Sequence, residues 1–340
     1  MTRLEVVRSG PLTLLQDAGR PGYAALGVTG SGAADRGAYR LGAALVGNRD
    51  EAALECLLGG LVLRALDGPV GLALTGAVCP ATVDSTAVPP GRPFELGPGQ
   101  VLRLGIPRHG LRCYLSAAGG IAAEPVLGSR SRDTLAGIGP APLRAGDVLE
   151  IGPGPIAGPL AGPPAAGPSA AGVLPGTGLD DPPGNGPVVL TLLPGPRTDW
   201  LADPAALARP WQVSPESDRV GVRLLPAASS PPLLRASGFE GVELPSEAVV
   251  RGAVQLPAGG LPVVFGADHP TTGGYPVVAV LSAAAADRLA QVSLDVPRVR
   301  LAEELAFWQA TLPGEWDEAG GRHHRAPGGL PVGLLVQPVE

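Results

Sequence analysis

Glycine and proline interrupt this chain throughout: 51 and 40 of its 340 residues. Proline cannot donate to a sheet ladder or sit in a helix interior, and glycine weakens either by about 0.5–1 kcal/mol. Long helices are therefore disfavoured, and many short strands joined by turns are expected. Aromatic residues make up 4% of the chain, so the core has to come from Leu, Val and Ala. The net charge of −6 argues against a nucleic-acid partner gripped through phosphates. All 25 basic residues are arginine, which excludes a Schiff-base lysine and a P-loop lysine. Cys56, Cys79 and Cys113 are odd in number and lack Cys-x-x-Cys spacing, so neither a disulfide framework nor a zinc site is expected. Met1–Glu5 has no apolar h-region, and the run Val277 to Ala286 is about half the roughly 20 residues a membrane span requires. A cytoplasmic protein with no membrane partner is expected.

Residues 152–187 are almost entirely Gly, Pro and Ala. Such a segment has too little apolar surface to offset its ordering entropy and reads as a linker. It divides the chain into 1–151, 188–312 and a polar tail, 313–340. The first lobe reads as strands, with "LGPGQVLRLG" at 96–105 echoed by "LRAGDVLEIG" at 143–152, as in a meandering sheet or barrel. One helix is capped by Asp35, carries Ala38, Leu41 and Leu45 on one face, and stops at Gly47-Asn48. In the second lobe Val188–Leu193, Val249–Leu256 and Pro262–Phe265 read as strands. A helix follows the cap Ser282, and another is expected over Ala302–Leu312. In the tail, His323 and His324 point apart on any regular element, so no metal site is expected.

Four stretches hold more polar detail than folding requires. "LQDAGRPGYAALGVTGSGAADR" (15–36) leads through Gln16, Asp17, Arg20, Ser31 and Gly32 into a helix N-terminus, a setting that suits a carboxylate or phosphate; alternatively Asp17 and Arg20 pair for structure alone. "LGSRSRDT" (127–134) gathers serines, arginines and an acid. "VSPESDRVGVRL" (213–224) places Asp218 and Arg219 at a strand entrance, where they brace a turn or hold a substrate carboxylate. "FGADHPTTGGYP" (265–276) sets Asp268, His269, Thr271, Thr272, Gly273, Gly274 and Tyr275 between two apolar runs. Asp268 and His269 are a base-capable pair, and the two glycines permit close approach of a ligand to the backbone. This hairpin is expected to line a cleft between the lobes.

Taken in order with "PVLGSRSRDTLAGIG…LRAGDVLEIG", "SEAVVRGAVQLP" and "ADHPTTGGYPVVAV", these stretches resemble the biotin-dependent carboxyltransferase family, also called KipA-like or allophanate hydrolase subunit 2. The resemblance runs from about Leu4 to Leu305. It implies a mostly β protein with a few short helices, built as two cyclophilin-like β-barrel lobes. It also implies a KipI- or PxpB-like partner subunit. With a PxpA-like subunit, such a complex is an ATP-dependent 5-oxoprolinase that opens 5-oxo-L-proline to L-glutamate and is inactive in parts. Two alternatives come with the resemblance. One is transfer of a carboxyl group from carboxybiotin to urea or another amide; the other is a non-catalytic regulator that binds a KipI-like kinase inhibitor. A planar amide is unreactive through resonance, so its opening needs a base near the N–H and donors at the oxygen. The implied roles are proton handling by Asp268 or His269, oxygen or carboxylate binding by the Gly273 and Gly274 N–H groups, and anchoring of a substrate carboxylate by Arg219 or Arg20. The chain departs from the family at 292–301 and in the length of its Gly/Pro/Ala stretch.

Overall fold

The computed structural model describes residues 2–153, 188–227, 230–292 and 298–303. The expected linker, the tail, its two histidines and most of the expected helix over 302–312 lie outside these residues.

The expectation of short strands holds, and the two halves of the chain close differently. The first half packs two curled sheets face to face. One has six strands, in which Arg3–Ser9 pairs with both Val148–Glu150 and Leu61–Ala65. The other has five strands, with His109–Ala117 between Ala53–Leu57 and Val70–Val78. The two echoed segments both supply strands to the six-stranded sheet (Val101–Leu104 and Val148–Glu150), separated there by two others. Leu4, Val6, Leu54, Leu63, Leu72 and Leu115 fill the space between the sheets.

The second half is a closed seven-stranded barrel. Arg298–Glu303 completes it, running parallel to Val188–Pro194 and antiparallel to Pro210–Val213. Ala302 and Glu303 thus belong to a strand, where a helix was expected. The expected strand Val249–Leu256 shrinks to Ala253–Gln255, because Arg251 and Gly252 form a turn, Gly252 with φ +86°. Leu190, Trp211, Leu224, Val254, Val264 and Val278 make this second core.

Helix α1 (Arg36–Leu45) begins and ends as its sequence predicts. Asp35 accepts from the Ala38 N–H at 2.9 Å, and Gly47 takes a left-handed φ of 76° as the Asn48 N–H returns to the Ala43 carbonyl. The helix lies on the five-stranded sheet at Gly42, whose missing Cβ would sit 2.7 Å from Ser116 Oγ. Helix α2 (Ala283–Leu289) is capped by Ser282. Among the described residues no helix is long and apolar enough to cross a membrane.

Candidate functional site

The two halves meet through polar groups, and α1 shows how. The backbone N–H groups of Arg36 and Gly37, in its first turn, donate to the Asp287 carboxylate of α2, each at 3.1 Å. Arg251 pairs with Asp287 at 2.6 Å and donates to the Ala34 carbonyl. The anion predicted for this helix N-terminus is therefore the protein's own carboxylate. Beside it Gln291 donates to Asp35 at 2.8 Å and accepts from the Leu111 and Arg112 N–H groups. Burial pushes the Asp35 carboxyl up to about 7.

Asp268 is the junction itself. It is fully buried, and its two oxygens accept from each of the other three stretches singled out by sequence. Ser31 Oγ donates at 2.6 Å, the Thr134 N–H at 2.9 Å and Thr134 Oγ1 at 2.7 Å. Arg219 closes a two-bond fork on it, Nε at 2.8 Å and Nη2 at 3.0 Å. Ser31 holds a left-handed φ of 49°, unusual for a residue with a Cβ, which aims its hydroxyl across the junction.

The remaining donors of Arg219 are also committed: Nη1 to Glu55 and Nη2 to the Gly32 carbonyl at 2.7 Å. Glu55 sits in the otherwise apolar strand Ala53–Leu57, and its other oxygen accepts from Tyr114 Oη at 2.8 Å and the Ala34 N–H at 2.9 Å. Burial alone would raise both carboxyls. The Arg219 guanidinium outweighs it and holds Glu55 and Asp268 below the ordinary carboxylate range.

This geometry corrects several expected roles. Arg219 has no free fork for a substrate carboxylate, and Asp268 has no open oxygen with which to take a proton. Arg20 is buried and donates to the Ser131 and Val126 carbonyls. Asp17 accepts from Ser129 Oγ, Ser131 Oγ and the Arg130 N–H, each at 2.6 Å. Gln16 donates to the Arg132 carbonyl at 2.8 Å. These three residues weld the 15–36 loop to the 127–134 loop. Gly32 backs onto Gly19, where a Cβ would lie 2.9 Å from the Gly19 nitrogen.

On the hairpin, Thr272–Gly273 pairs with Glu247–Ala248. A Cβ on Gly273 would lie 2.5 Å from Gln255 Nε2, so the close approach there is to a side chain. Thr271 is half-buried, and Thr272, Gly274 and Tyr275 are exposed. His269 does not bond Asp268. Its Nδ1 lies 2.6 Å from the Pro270 carbonyl, which can only accept, so Nδ1 carries the proton and Nε2 keeps a lone pair. Burial lowers its pKa below the ordinary histidine value, which leaves the ring neutral at pH 7.

A cleft of about 260 Å³ opens between the halves on the Glu55 side of Arg219. Leu12, Leu14, Leu57, Leu111, Val222 and Leu289 wall it; Glu55, Arg112 and Arg219 form its floor; Ser217 and Asp218 stand at its edge. The hairpin does not line it. Of the sequence-predicted stretches, only 213–224 does. Sequence reasoning missed Glu55 and Arg112, although lone charges inside apolar strands are a signal of buried pairing. Among the described residues no cluster of His, Cys, Asp and Glu could hold a metal.

Comparison with known proteins decides the family. The carboxyltransferase domain, subdomains A and B, matches residues 26–301. The chain belongs to this family. It is 38% identical to the C subunit of 5-oxoprolinase from Escherichia coli K12 over 302 residues, covering 86% of this chain and 89% of that one. It is 30% identical to the urea amidolyase of Lachancea kluyveri, covering 85% of this chain and 16% of that protein. Among solved structures, the TTHA0988 crystal structure superposes with a TM-score of 0.73 at 32% identity, covering 89% of this chain and 56% of that one. The present chain therefore spans little more than half of that molecule. The K. lactis urea amidolyase superposes with a TM-score of 0.75 at 26% identity, covering 88% of this carboxyltransferase chain and 18% of that one.

Proposed function

We propose that this chain is the C subunit of an ATP-dependent 5-oxoprolinase, opening 5-oxo-L-proline to L-glutamate in the cytoplasm with PxpA- and PxpB-like partners, and inactive alone. The observation that carries this reading is the match to the E. coli 5-oxoprolinase component across nearly the whole of both chains; the urea amidolyases contain this unit as a small part of a longer protein. ATP is assigned to a partner, because the helix N-terminus that suited a phosphate is filled from within the protein. The first turn of α1 is already closed by Asp287 and Asp35, and the chain has no lysine.

In this reading Asp268 is a brace that fixes Ser31, Thr134 and Arg219 across the two halves. His269 stands on the hairpin, which does not line the cleft, so its Nε2 lone pair serves no amide bound there and the proton acceptor is left to a partner subunit. The cleft beside Arg219 receives the amide. The family match and the urea amidolyases favour a second reading, transfer of a carboxyl group from carboxybiotin on a carrier to an amide.

The test is co-expression with PxpA- and PxpB-like subunits and an assay of glutamate release from 5-oxo-L-proline with and without ATP. ATP-dependent release is expected. No release, together with biotin-dependent carboxylation of urea or another amide, would replace the first reading by the second.

A further inference from the structure

The charged groups of the inter-lobe cleft include a donor and an acceptor that no described residue uses. Arg112 lies on its floor. Its Nη1 donates to the Ala290 carbonyl, and its Nε stands 3.5 Å from Glu55 Oε1. Its Nη2 makes no hydrogen bond to any described residue. Asp218 stands at the edge. Its Oδ1 accepts from the Val220 N–H at 2.8 Å and the Gly221 N–H at 3.1 Å, while its Oδ2 accepts from no described residue. These two side chains come from different halves of the molecule and share a cavity that is also lined by Glu55, Arg219, Ser214 and Ser217 and by aliphatic side chains from both halves.

We propose that this cleft binds a small cyclic amide, with Arg112 Nη2 donating to the carbonyl oxygen, Asp218 Oδ2 accepting from the amide N–H, and the ring methylenes against Leu12, Leu57, Val222 and Leu289. The assignment rests on the 5-oxoprolinase reading and names the residues that would hold its substrate. Three observations carry it. An amide offers one acceptor and one donor, and the cleft offers the complementary pair. The volume of about 260 Å³, set against roughly 30 Å³ per water in the liquid, admits a small ring and is larger than urea needs. The aliphatic walls reward ring methylenes, which urea lacks. Charge adds a further selection. The guanidinia of Arg112 and Arg219 are offset by the carboxylates of Glu55 and Asp268, so no positive excess remains for a free carboxylate. A neutral amide is the match, and the carboxylate of 5-oxo-L-proline is left for a partner subunit. Arg112 Nη2 also sits where charge grows on the oxygen as an amide is attacked.

The experiment uses the isolated chain and titrates 2-pyrrolidinone, N-methyl-2-pyrrolidinone and urea, followed by protein-observed NMR. 2-Pyrrolidinone is expected to bind, the N-methyl compound about tenfold more weakly or worse, and urea not detectably; one charge-assisted hydrogen bond corresponds to about tenfold or more. Arg112→Met should weaken both lactams by a similar factor. Asp218→Asn, at an exposed position that leaves the core intact, should weaken 2-pyrrolidinone and leave the N-methyl compound unchanged. Arg112→Lys keeps the charge opposite Glu55 and controls for folding; it should weaken lactam binding without changing the spectrum of the core. Equal binding of 2-pyrrolidinone by the wild type, Arg112→Met and Asp218→Asn overturns the proposal, as does urea binding as tightly as the lactam. The two readings fail separately. Lactam binding in the cleft without glutamate release by the complex sinks the function and keeps the site. Glutamate release that is insensitive to both substitutions keeps the function and sinks the site.

Discussion

Asparagine in place of Asp268 tests the junction directly. The side chain is fully buried and accepts five hydrogen bonds from three separate segments, two of them from the Arg219 fork at 2.8 and 3.0 Å. Asparagine keeps the shape, removes the charge, and turns an NH2 group toward donors. Breaking a buried ion pair from one side costs about 3–5 kcal/mol. Arg219 would retain Glu55, so the loss belongs at the low end, about 3 kcal/mol. At roughly 2–4 °C per kcal/mol for chains of 150–250 residues, Tm should fall by about 6–12 °C. Differential scanning calorimetry at pH 7 reads this. Arg219→Met takes the cation from both Glu55 and Asp268 and should cost more, and the double variant clearly less than the two single losses together, because the groups form one network. A Tm for Asp268→Asn within about 1 °C of the wild type, the behaviour of an unconstrained surface position, would refute the account of Asp268 as a brace.

Further outcomes follow from the same geometry. The Asp35 carboxyl titrates near 7 when folded against an ordinary value of 3.8; because the folded value is raised, its contribution is present below pH 4 and lost as pH rises to 7. Urea denaturation between pH 5 and 8.5 should show a decline on the order of 2–3 kcal/mol from this group, which Asp35→Ser, still able to cap α1, should abolish; parallel curves would count against it. Glu55 and Asp268 have the opposite sign. Both are held low, so their stabilisation is present above about pH 4 and lost on further acidification, and Asp268→Asn should blunt the acid unfolding limb. Asp287→Ala removes the acceptor from the first turn of α1 and should cost about 1–2 kcal/mol, with faster hydrogen exchange at Arg36 and Gly37; unchanged exchange there would disprove the cap. Gly42→Ala gains helix propensity but drives a methyl to 2.7 Å from Ser116 Oγ, so a net loss of about 1–3 kcal/mol is expected in thermal melts.

The sequence made the secondary elements and loops legible where local chemistry sets them. Asp35, Gly47 and Ser282 mark helix ends by side-chain capping or left-handed backbone, and both operate within a few residues. The four polar stretches stood out because apolar strands have no need of so many hydroxyls and charges, and in the fold they converge on Asp268. Roles were less legible, because a role depends on what lies opposite. Arg219 and Asp268 each looked like a group waiting for a ligand; folded, each is the other's partner. The helix N-terminus looked like an anion site, and the anion comes from Asp287, 251 residues after Arg36 in the chain. Glu55 and Arg112 were hidden in strands read for their leucines, and only pairing across the two halves reveals what they face.

The carboxylate of Asp268 ties three lengths of backbone to one point, so none of them can swing aside alone. Loosening Thr134 disturbs the Arg219 fork one bond away, and through it the floor of the cleft. The molecule is thus framed like a keystoned arch: whatever enters the cleft meets a floor that both halves hold at once, and neither half can shift there without breaking the other's hydrogen bonds.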